Sequence, residues 1–186
     1  MIETIISNDC TGGAVMSMLG MEFKTPTILL QILPEDFPRF CKNLRWYMET
    51  ELVECHNFTP YEEGKLIKMF GGIPQMPIGL IGDVLVCFQH YSSFEEAAGK
   101  WNERKDRVDY IHIGFIMHAR GPEYQHEAEE FIETVSRTKL CITENFEIPG
   151  SVPLYPGEGK SAFAADDDGK LLITQAADYK SWRELG

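Results

Sequence analysis

The sequence predicts an α/β fold, a three-layer Rossmann-like sandwich with a mostly parallel central sheet. Short apolar runs bounded by Gly and Pro alternate with amphipathic stretches along most of the 186 residues, and this alternation is typical of parallel strands joined by helices. The strongest run, "DVLVCFQHY", is followed at once by a helix start signal. We therefore expect helices on both faces of the sheet and a single domain spanning 1–186.

Local start and stop residues mark the elements in chain order. Gly12 and Gly13 turn the chain from the first strand into a short helix. Pro34-Glu35-Asp36 opens a helix with an apolar stripe, and "SSFEE" contains a capping box. The predicted strands are 1–6, 25–33, 51–56, 83–91, 110–117, 139–143 and 171–174. The predicted helices are 14–19, 34–48, 60–70, 93–108 and 122–135, and we expect loop at 71–79 and over most of 144–186.

Composition excludes several classes of partner. The formal net charge is -12, which is unsuited to binding nucleic acid or an anionic membrane surface with the whole molecule. No apolar run approaches the roughly 20 residues that span a bilayer, and "MIETIISNDC" lacks the basic segment of a signal peptide. The five scattered cysteines form no C-x-x-C pair, which indicates reduced thiols and a cytoplasmic protein.

The stretch "SNDCTGG" is the first candidate site. Residues 7–10 follow the first strand and precede a helix, the position where α/β proteins bind ligands. A helix N-terminus favours an anion and lowers the pKa of a nearby thiol, so Cys10 is a candidate nucleophile and Asn8 a candidate partner for a sugar hydroxyl or an oxyanion. Gly12 and Gly13 would let the backbone approach a ligand. The alternative is a tight turn with a buried cysteine.

The helix "FEEAAGKWNERKDRV" is the second candidate site. Lys100, Arg104 and Arg107 are three or four positions apart and share one helix face, with Trp101 beside them. Arginine suits bidentate contact with phosphate or carboxylate, so we expect these four residues to bind an anionic substrate. The alternative is a solvated face on which glutamates pair with the basic residues and only stabilise the helix.

Histidines supply the candidate general base. His90 and Tyr91 end the predicted strand 83–91 and are expected to face the Cys10 loop. We predict His90 as the base and Tyr91 as a substrate-binding residue, whereas His112 is expected in the core. His118 is one of three residues, with Arg120 and His126, that can line the same crevice. No His, Cys or acidic cluster has the spacing of a metal site, and we expect no metal and no cofactor.

Several separated stretches together resemble a known bacterial family. The stretches "ISNDCTGG", "LGMEFKTPT", "FCKNLRWYM" and "MPIGLIGDVLVCFQHYSSFEEAAGKWNERKDRV" resemble, in this order, the family labelled domain of unknown function 1919. Its members are often described as exopolysaccharide biosynthesis proteins. The matching positions lie within roughly residues 1–117 and are Ser7, Asn8, Cys10, Gly12, Gly13, Pro26, Thr27, Pro77, Ile78, Gly79, His90, Tyr91, Ser93, Glu95, Glu96, Ala97, Lys100, Trp101, Arg104 and Arg107.

This chain also departs from the family pattern. Asp9 stands where the family has a second Asn, Thr11 replaces a Trp, Thr25 replaces a Ser and Met76 replaces a Tyr. After Met117, where the family usually has an acidic segment, this chain has "HARGPEYQHE", and we expect the last third of the chain to depart from the family pattern. What the resemblance implies about function therefore concerns the first two thirds of the chain.

The resemblance implies a bacterial α/β protein encoded among surface-polysaccharide genes, without a defined reaction. Our first hypothesis is an enzyme that transfers or hydrolyses a group on a sugar or nucleotide-sugar, with His90 as base and Cys10 as possible nucleophile. The second hypothesis is a non-catalytic accessory protein that binds a sugar, a nucleotide-sugar or another anionic ligand. The third is a protein in which these motifs only stabilise the fold.

Overall fold

The computed structural model describes all residues 1–186. The strands are β1 (Thr4–Ser7), β2 (Gln31–Ile32), β3 (Leu52–Glu54), β4 (Ile78–Ile81), β5 (Val84–Cys87), β6 (Ile113–Ala119), β7 (Lys139–Glu144) and β8 (Val152–Leu154). The helices are α1 (Thr11–Met18), α2 (Phe37–Lys42), α3 (Leu44–Glu49), α4 (Pro60–Phe70), α5 (Phe94–Lys105), α6 (Gln125–Thr134) and α7 (Tyr179–Glu184), with 3₁₀ turns at Pro122–Tyr124 and Leu172–Gln175.

A parallel sheet of four strands, in the order β1-β6-β7-β8, carries the candidate site. All three strand pairs are parallel, so the carboxyl ends of the strands meet at one edge. Neighbouring residues of β6 pack on opposite faces of the sheet, with Ile116 in one apolar cluster and Met117 in another. The parallel sheet is therefore buried on both faces, as expected for strands of this type.

The remaining strands form a separate antiparallel sheet in the order β2-β5-β4-β3. Its centre is the β4–β5 hairpin, which turns at Gly82 and Asp83. Gly82 has φ +60°, a left-handed conformation that glycine adopts without a steric penalty. The hairpin starts at Ile78, inside the stretch that we predicted as loop. The α/β class is confirmed. The strands form two sheets, however, so the prediction of one mostly parallel sheet in a three-layer Rossmann-like sandwich is not confirmed.

Elements with local capping signals are confirmed. Helix α4 begins at Pro60 with a complete capping box between Thr59 and Glu62, and α5 begins after Ser93, whose side chain accepts a hydrogen bond from the Glu96 N–H. Several predicted strands are wrong or shortened. The stretch 171–174 lies mostly in a 3₁₀ turn, and only Gln31–Ile32 of 25–33 forms a strand. The strand predicted at 83–91 ends at Cys87, so the expectation that His90 and Tyr91 end it is wrong. The interior of 25–33 leaves extended geometry at Leu29, whose φ is +61°.

No helix of the structure combines the length and the apolar composition needed to cross a bilayer. The prediction of one domain over 1–186 stays a prediction.

Helices α1 and α7 contribute Val15 and Trp182 to the cluster on one face of the parallel sheet, and α6 contributes Phe131 to the cluster on the other. The edge that carries the strand ends lies between these layers.

Candidate functional site

Three ionisable side chains meet where the parallel strands β1, β6 and β7 end. His118 of β6 lies between Asp9, two residues after β1, and Glu144, the last residue of β7. His118 Nδ1 is 2.8 Å from Asp9 Oδ2, and His118 Nε2 is 3.1 Å from Glu144 Oε2. All three residues are buried. We call them the buried triad, and they occupy the sheet edge at which α/β proteins bind ligands.

Asn8 holds His118 in this position. Asn8 Nδ2 donates to the His118 carbonyl at 3.0 Å, and Asn8 Oδ1 accepts from the His118 N–H at 2.8 Å. The side chain thus continues the pairing between β1 and β6 beyond the last residue of β1. We predicted that Asn8 binds substrate; in the structure its buried amide bonds to β6 and does not line the cavity described below.

The Asp9 carboxylate is surrounded by donors. The Thr11 N–H donates to Asp9 Oδ1 at 2.9 Å, and Arg120 Nη2 donates to Asp9 Oδ2 at 3.3 Å. Burial alone would raise the pKa of Asp9, but the charge and hydrogen bond of His118, together with Arg120 and Thr11, lower it well below its usual value. Burial would likewise lower the pKa of His118, but Asp9 and Glu144 raise it. The contact between Asp9 and His118 therefore favours the protonated imidazole beside the ionised Asp9 carboxylate.

This arrangement makes stability depend on pH in two opposite directions. The pKa of His118 lies above its ordinary value of 6.5, so its contribution is complete below pH 6.5 and is lost as pH rises through the folded-state pKa. The pKa of Asp9 lies below its ordinary value of 3.8, so its contribution is complete above that pH and is lost on acidification. Burial raises the pKa of Tyr179, which therefore stays neutral over this range.

We expect the urea midpoint of unfolding to be highest between about pH 4 and pH 6.5 and to fall on both sides. The control is His112→Ala, because His112 is an exposed histidine that bonds to Asp109 outside the triad. The decrease above pH 6.5 should persist in this variant. A midpoint that rises steadily from pH 6.5 to pH 8.5 would contradict the assignment of a raised pKa to His118.

A cavity of about 390 Å³ lies beside the triad. Its volume is within the range of roughly 300–1,000 Å³ that is usual for small-molecule sites. Four parts of the chain line it: the start of α1, the segment before β2, the region from β5 into α5, and the segment before α7. The lining residues are Cys10, Gly13, Ala14, Phe23, Ile28, Leu29, His90, Arg104, Phe163 and Leu171.

Phe163 separates the cavity from the buried triad. Its ring lines the cavity and packs edge-on against the His118 ring, with 5.9 Å between the ring centroids. The Arg120 guanidinium carbon lies 5.7 Å from the centroid of the same ring. The Phe163 ring thus contacts the His118 ring of the triad and also forms part of the cavity wall.

Arg104 is the one permanently charged residue in the cavity lining. Its Nη1 donates to the Tyr91 hydroxyl at 2.9 Å, and it forms none of the salt bridges of the structure. The Tyr91 hydroxyl in turn donates to the Ile28 carbonyl at 3.4 Å. Tyr91 therefore positions the guanidinium at the cavity without neutralising it, and Arg104 keeps its charge available for an anion.

Cys10 lines the cavity as a protonated thiol. Burial and the neighbouring Asp9 carboxylate raise its pKa to about 11, although Arg120 acts in the opposite direction. We expected the N-terminus of the following helix to lower this pKa, and that expectation is wrong because desolvation and the adjacent negative charge outweigh the helix. A thiol with this pKa is a weak nucleophile at neutral pH. The catalytic role of Cys10 stays a prediction.

Comparison with known proteins assigns the sequence to a family. The family model described as "Domain of unknown function (DUF1919)" matches residues 2–150. The chain belongs to the DUF1919 family. It is also 25% identical over 140 residues to an uncharacterized protein of Haemophilus influenzae, across 75% of this chain and 61% of that protein. The chain thus spans about three fifths of the length of the curated relative that it matches.

The DUF1919 match divides the cavity lining into two groups. Most of the lining lies within residues 2–150. Phe163 and Leu171 lie beyond the matched range. The segment after residue 150 therefore completes a cavity whose other walls come from the part of the chain shared with the family.

Not every motif residue of the DUF1919 family faces the cavity. Trp101 is 1% exposed in the main apolar core. Lys100 Nζ lies 3.1 Å from Glu103 Oε2, and Arg107 pairs with the same glutamate on the exposed side of α5. The expected cationic patch of α5 is therefore reduced to Arg104 at the cavity. His90 and Gly13 do line it.

Gly12 has a packing role in the structure. A Cβ atom at this position would clash with the Ser7 side chain. The Gly12 N–H donates to Ser7 Oγ at 3.0 Å, so the close contact between α1 and β1 requires glycine here. The ligand contact that we predicted for Gly12 stays a prediction, and this residue does not line the cavity.

Two residues of the site were given no role by sequence reasoning. Glu144 follows the predicted strand 139–143 directly, and the rule that placed residues 7–10 at the carboxyl edge would have placed Glu144 there too. Phe163 had no such signal, because it lies in a segment without regular structure. His112, expected in the core, is exposed before β6. No group of three or more His, Cys, Asp and Glu side chains has a geometry suited to a metal ion.

Proposed function

We propose that this protein binds a sugar derivative with an anionic group, such as a sugar phosphate or a nucleotide-sugar, at the cavity beside the buried triad, with the anionic group bound by Arg104. It would act in the bacterial cytoplasm in exopolysaccharide or capsule synthesis and transfer or hydrolyse a group on that ligand. The observation that carries the proposal is Arg104, a cation in the cavity lining with a hydroxyl partner and no carboxylate partner. In a chain with net charge -12, such a cation favours an anionic ligand.

The chemistry of the proposed enzyme would depend on His90. It lines the cavity and is exposed, so it can accept a proton from a bound hydroxyl or from water. Both ring nitrogens of His118 are engaged by carboxylates, and Cys10 is protonated at neutral pH. Of the three, His90 is therefore the general base that we propose.

A non-catalytic binding protein of the same process is the second candidate. It is favoured by the protonated Cys10 thiol and by the burial of His118, because neither group is in a reactive state at the cavity. The two candidates share the binding site and differ in turnover. Product formation from a bound nucleotide-sugar, lost in His90→Ala, would support the enzyme, whereas binding without product would support the accessory protein.

Replacing Arg104 is expected to remove the binding of anionic sugars. We expect Arg104→Ala to weaken the binding of sugar phosphates or nucleotide-sugars by about tenfold or more, because a hydrogen bond to a charged group is lost. Thermal-shift titration of the wild type and the variant would measure this effect. The matched control is Arg107→Ala, two residues after the end of α5 and paired with Glu103 on the surface. Equal shifts in wild type and Arg104→Ala would contradict the proposal.

A further inference from the structure

We propose that the cavity accommodates an aliphatic chain whose end carries a phosphate bound by Arg104, so that the sugar of the ligand lies outside the cavity. This inference rests on the proposed function and specifies its ligand: a sugar joined through phosphate to a hydrocarbon chain. It follows from the chemistry of the lining, from the exposure of apolar side chains at the cavity, and from the place of the single cation.

The cavity lining offers almost nothing to a sugar ring. Seven of its ten residues are hydrophobic. Apart from the Cys10 thiol, which is counted among these seven, polar or charged side-chain groups come only from His90 and Arg104. A sugar enclosed here would leave most of its hydroxyl groups without hydrogen-bond partners, which is unfavourable. A nucleobase would meet the same difficulty at its polar edge. An aliphatic chain has no such requirement.

Two apolar side chains at the cavity are unusually exposed. Phe23 is 39% exposed and Leu29 is 40% exposed, and both line the cavity. Leu29 also has φ +61°, a conformation that branched residues rarely adopt and that concentrates at ligand-binding sites. A strained backbone that holds a leucine at a cavity is explained when the leucine contacts a hydrophobic ligand.

The charge of the cavity lining indicates which end group the ligand carries. No Asp or Glu lines the cavity, and Arg104 is its permanent cation. The hydroxyl of Tyr91 fixes the guanidinium at 2.9 Å. A phosphate at the end of an aliphatic chain would therefore find one cation and no repelling carboxylate, while the rest of the chain contacts apolar side chains.

Binding of a graded set of probes tests this inference. By calorimetry we expect hexyl, octyl and decyl phosphate, each below its micelle concentration, to bind progressively more tightly, by about fourfold per added methylene until the cavity is filled. Inorganic phosphate and glucose 1-phosphate should bind more weakly than decyl phosphate. Decyltrimethylammonium, which has the same chain and the opposite charge, should bind at least tenfold more weakly.

The variant Leu29→Asn distinguishes an effect on ligand binding from an effect on the stability of the fold. Asparagine tolerates a positive φ better than leucine, so this variant should unfold at the same temperature as the wild type or higher while binding decyl phosphate at least tenfold more weakly. The control is Ile111→Asn, which removes a 77% exposed apolar side chain that does not line the cavity. Its affinity for decyl phosphate should be unchanged.

The outcomes distinguish this inference from the proposed function. If glucose 1-phosphate or UDP-glucose binds in an Arg104-dependent manner and decyl phosphate binds no more tightly than they do, the proposed function stands and the inference is wrong. Equal binding of decyl phosphate and decyltrimethylammonium would show adsorption to an apolar surface and would also overturn it. If no phosphate compound depends on Arg104, both are wrong.

Discussion

Replacement of His118 by alanine is expected to lower the free energy of unfolding by about 3–5 kcal/mol, the usual effect of removing one partner of a buried ion pair. His118 is 1% exposed and is the only cationic group bonded to both Asp9 and Glu144. Without the imidazolium, two carboxylates remain at the same sheet edge with one fewer positive charge. The void left inside the protein by removal of the imidazole ring adds to this loss of stability.

Urea unfolding of wild type and His118→Ala at pH 6 would measure the difference. The control is His112→Ala, in which an exposed histidine is lost and little change is expected. A second variant, Glu144→Gln, keeps the size of the side chain and should lower stability less than His118→Ala, because Asp9 and His118 remain paired. Loss of stability in His112→Ala equal to that in His118→Ala would show that the triad has no special role.

Joining three strands through the buried triad requires the burial of ionisable groups, which is energetically costly. Buried ion pairs are weak sources of stability compared with well-packed apolar side chains, whereas perturbed ionisable groups are concentrated at functional sites. Of the two non-glycine residues with positive φ, Leu29 lines the cavity and Asn145 directly follows Glu144. Charge burial and backbone strain thus coincide around one site, which supports a ligand site at this edge.

The elements that sequence reasoning identified are those with local physical causes. Helices α4 and α5 begin directly after Thr59 and Ser93 because these side chains accept hydrogen bonds from backbone N–H groups three residues later, and such signals are contained in a few consecutive residues. Strands β2 and β8 have only two and three residues. Their identity depends on pairing with β5 and β7, which two or three residues of sequence do not reveal.

The candidate site was predicted in part for the same reason. The carboxyl-edge rule correctly brought attention to residues 7–10 and His118, because the ends of β1 and β6 can be located from local sequence. It also selected His90, which lies beyond the end of β5 in the antiparallel sheet. The direction in which a side chain points could not be derived in this way. Trp101 and Arg104 are three residues apart on α5, yet one is in the core and the other lines the cavity. The position of Phe163 between His118 and the cavity depends on the path of a segment without regular secondary structure.

Trp101→Ala is expected to lower the free energy of unfolding by about 3–5 kcal/mol, as for other buried tryptophans and phenylalanines replaced by alanine. Trp101 is 1% exposed within the main apolar cluster, so the variant would leave a large void beneath α5. We expect Trp101→Phe to be much less destabilising. Trp101 Nε1 has no hydrogen-bond partner, so phenylalanine removes a buried, unpaired donor while it keeps most of the apolar contacts.

Urea unfolding of the two Trp101 variants, together with titration of the ligand that binds the wild type, separates a core residue from a binding residue. A core residue predicts a large loss of stability in Trp101→Ala and full affinity in Trp101→Phe. The substrate contact that the sequence suggested predicts the opposite, with near-normal stability and weakened binding in both variants. The first result would leave Arg104 as the residue of the α5 motif that acts at the cavity, because Lys100 and Arg107 are already paired with Glu103 at the surface.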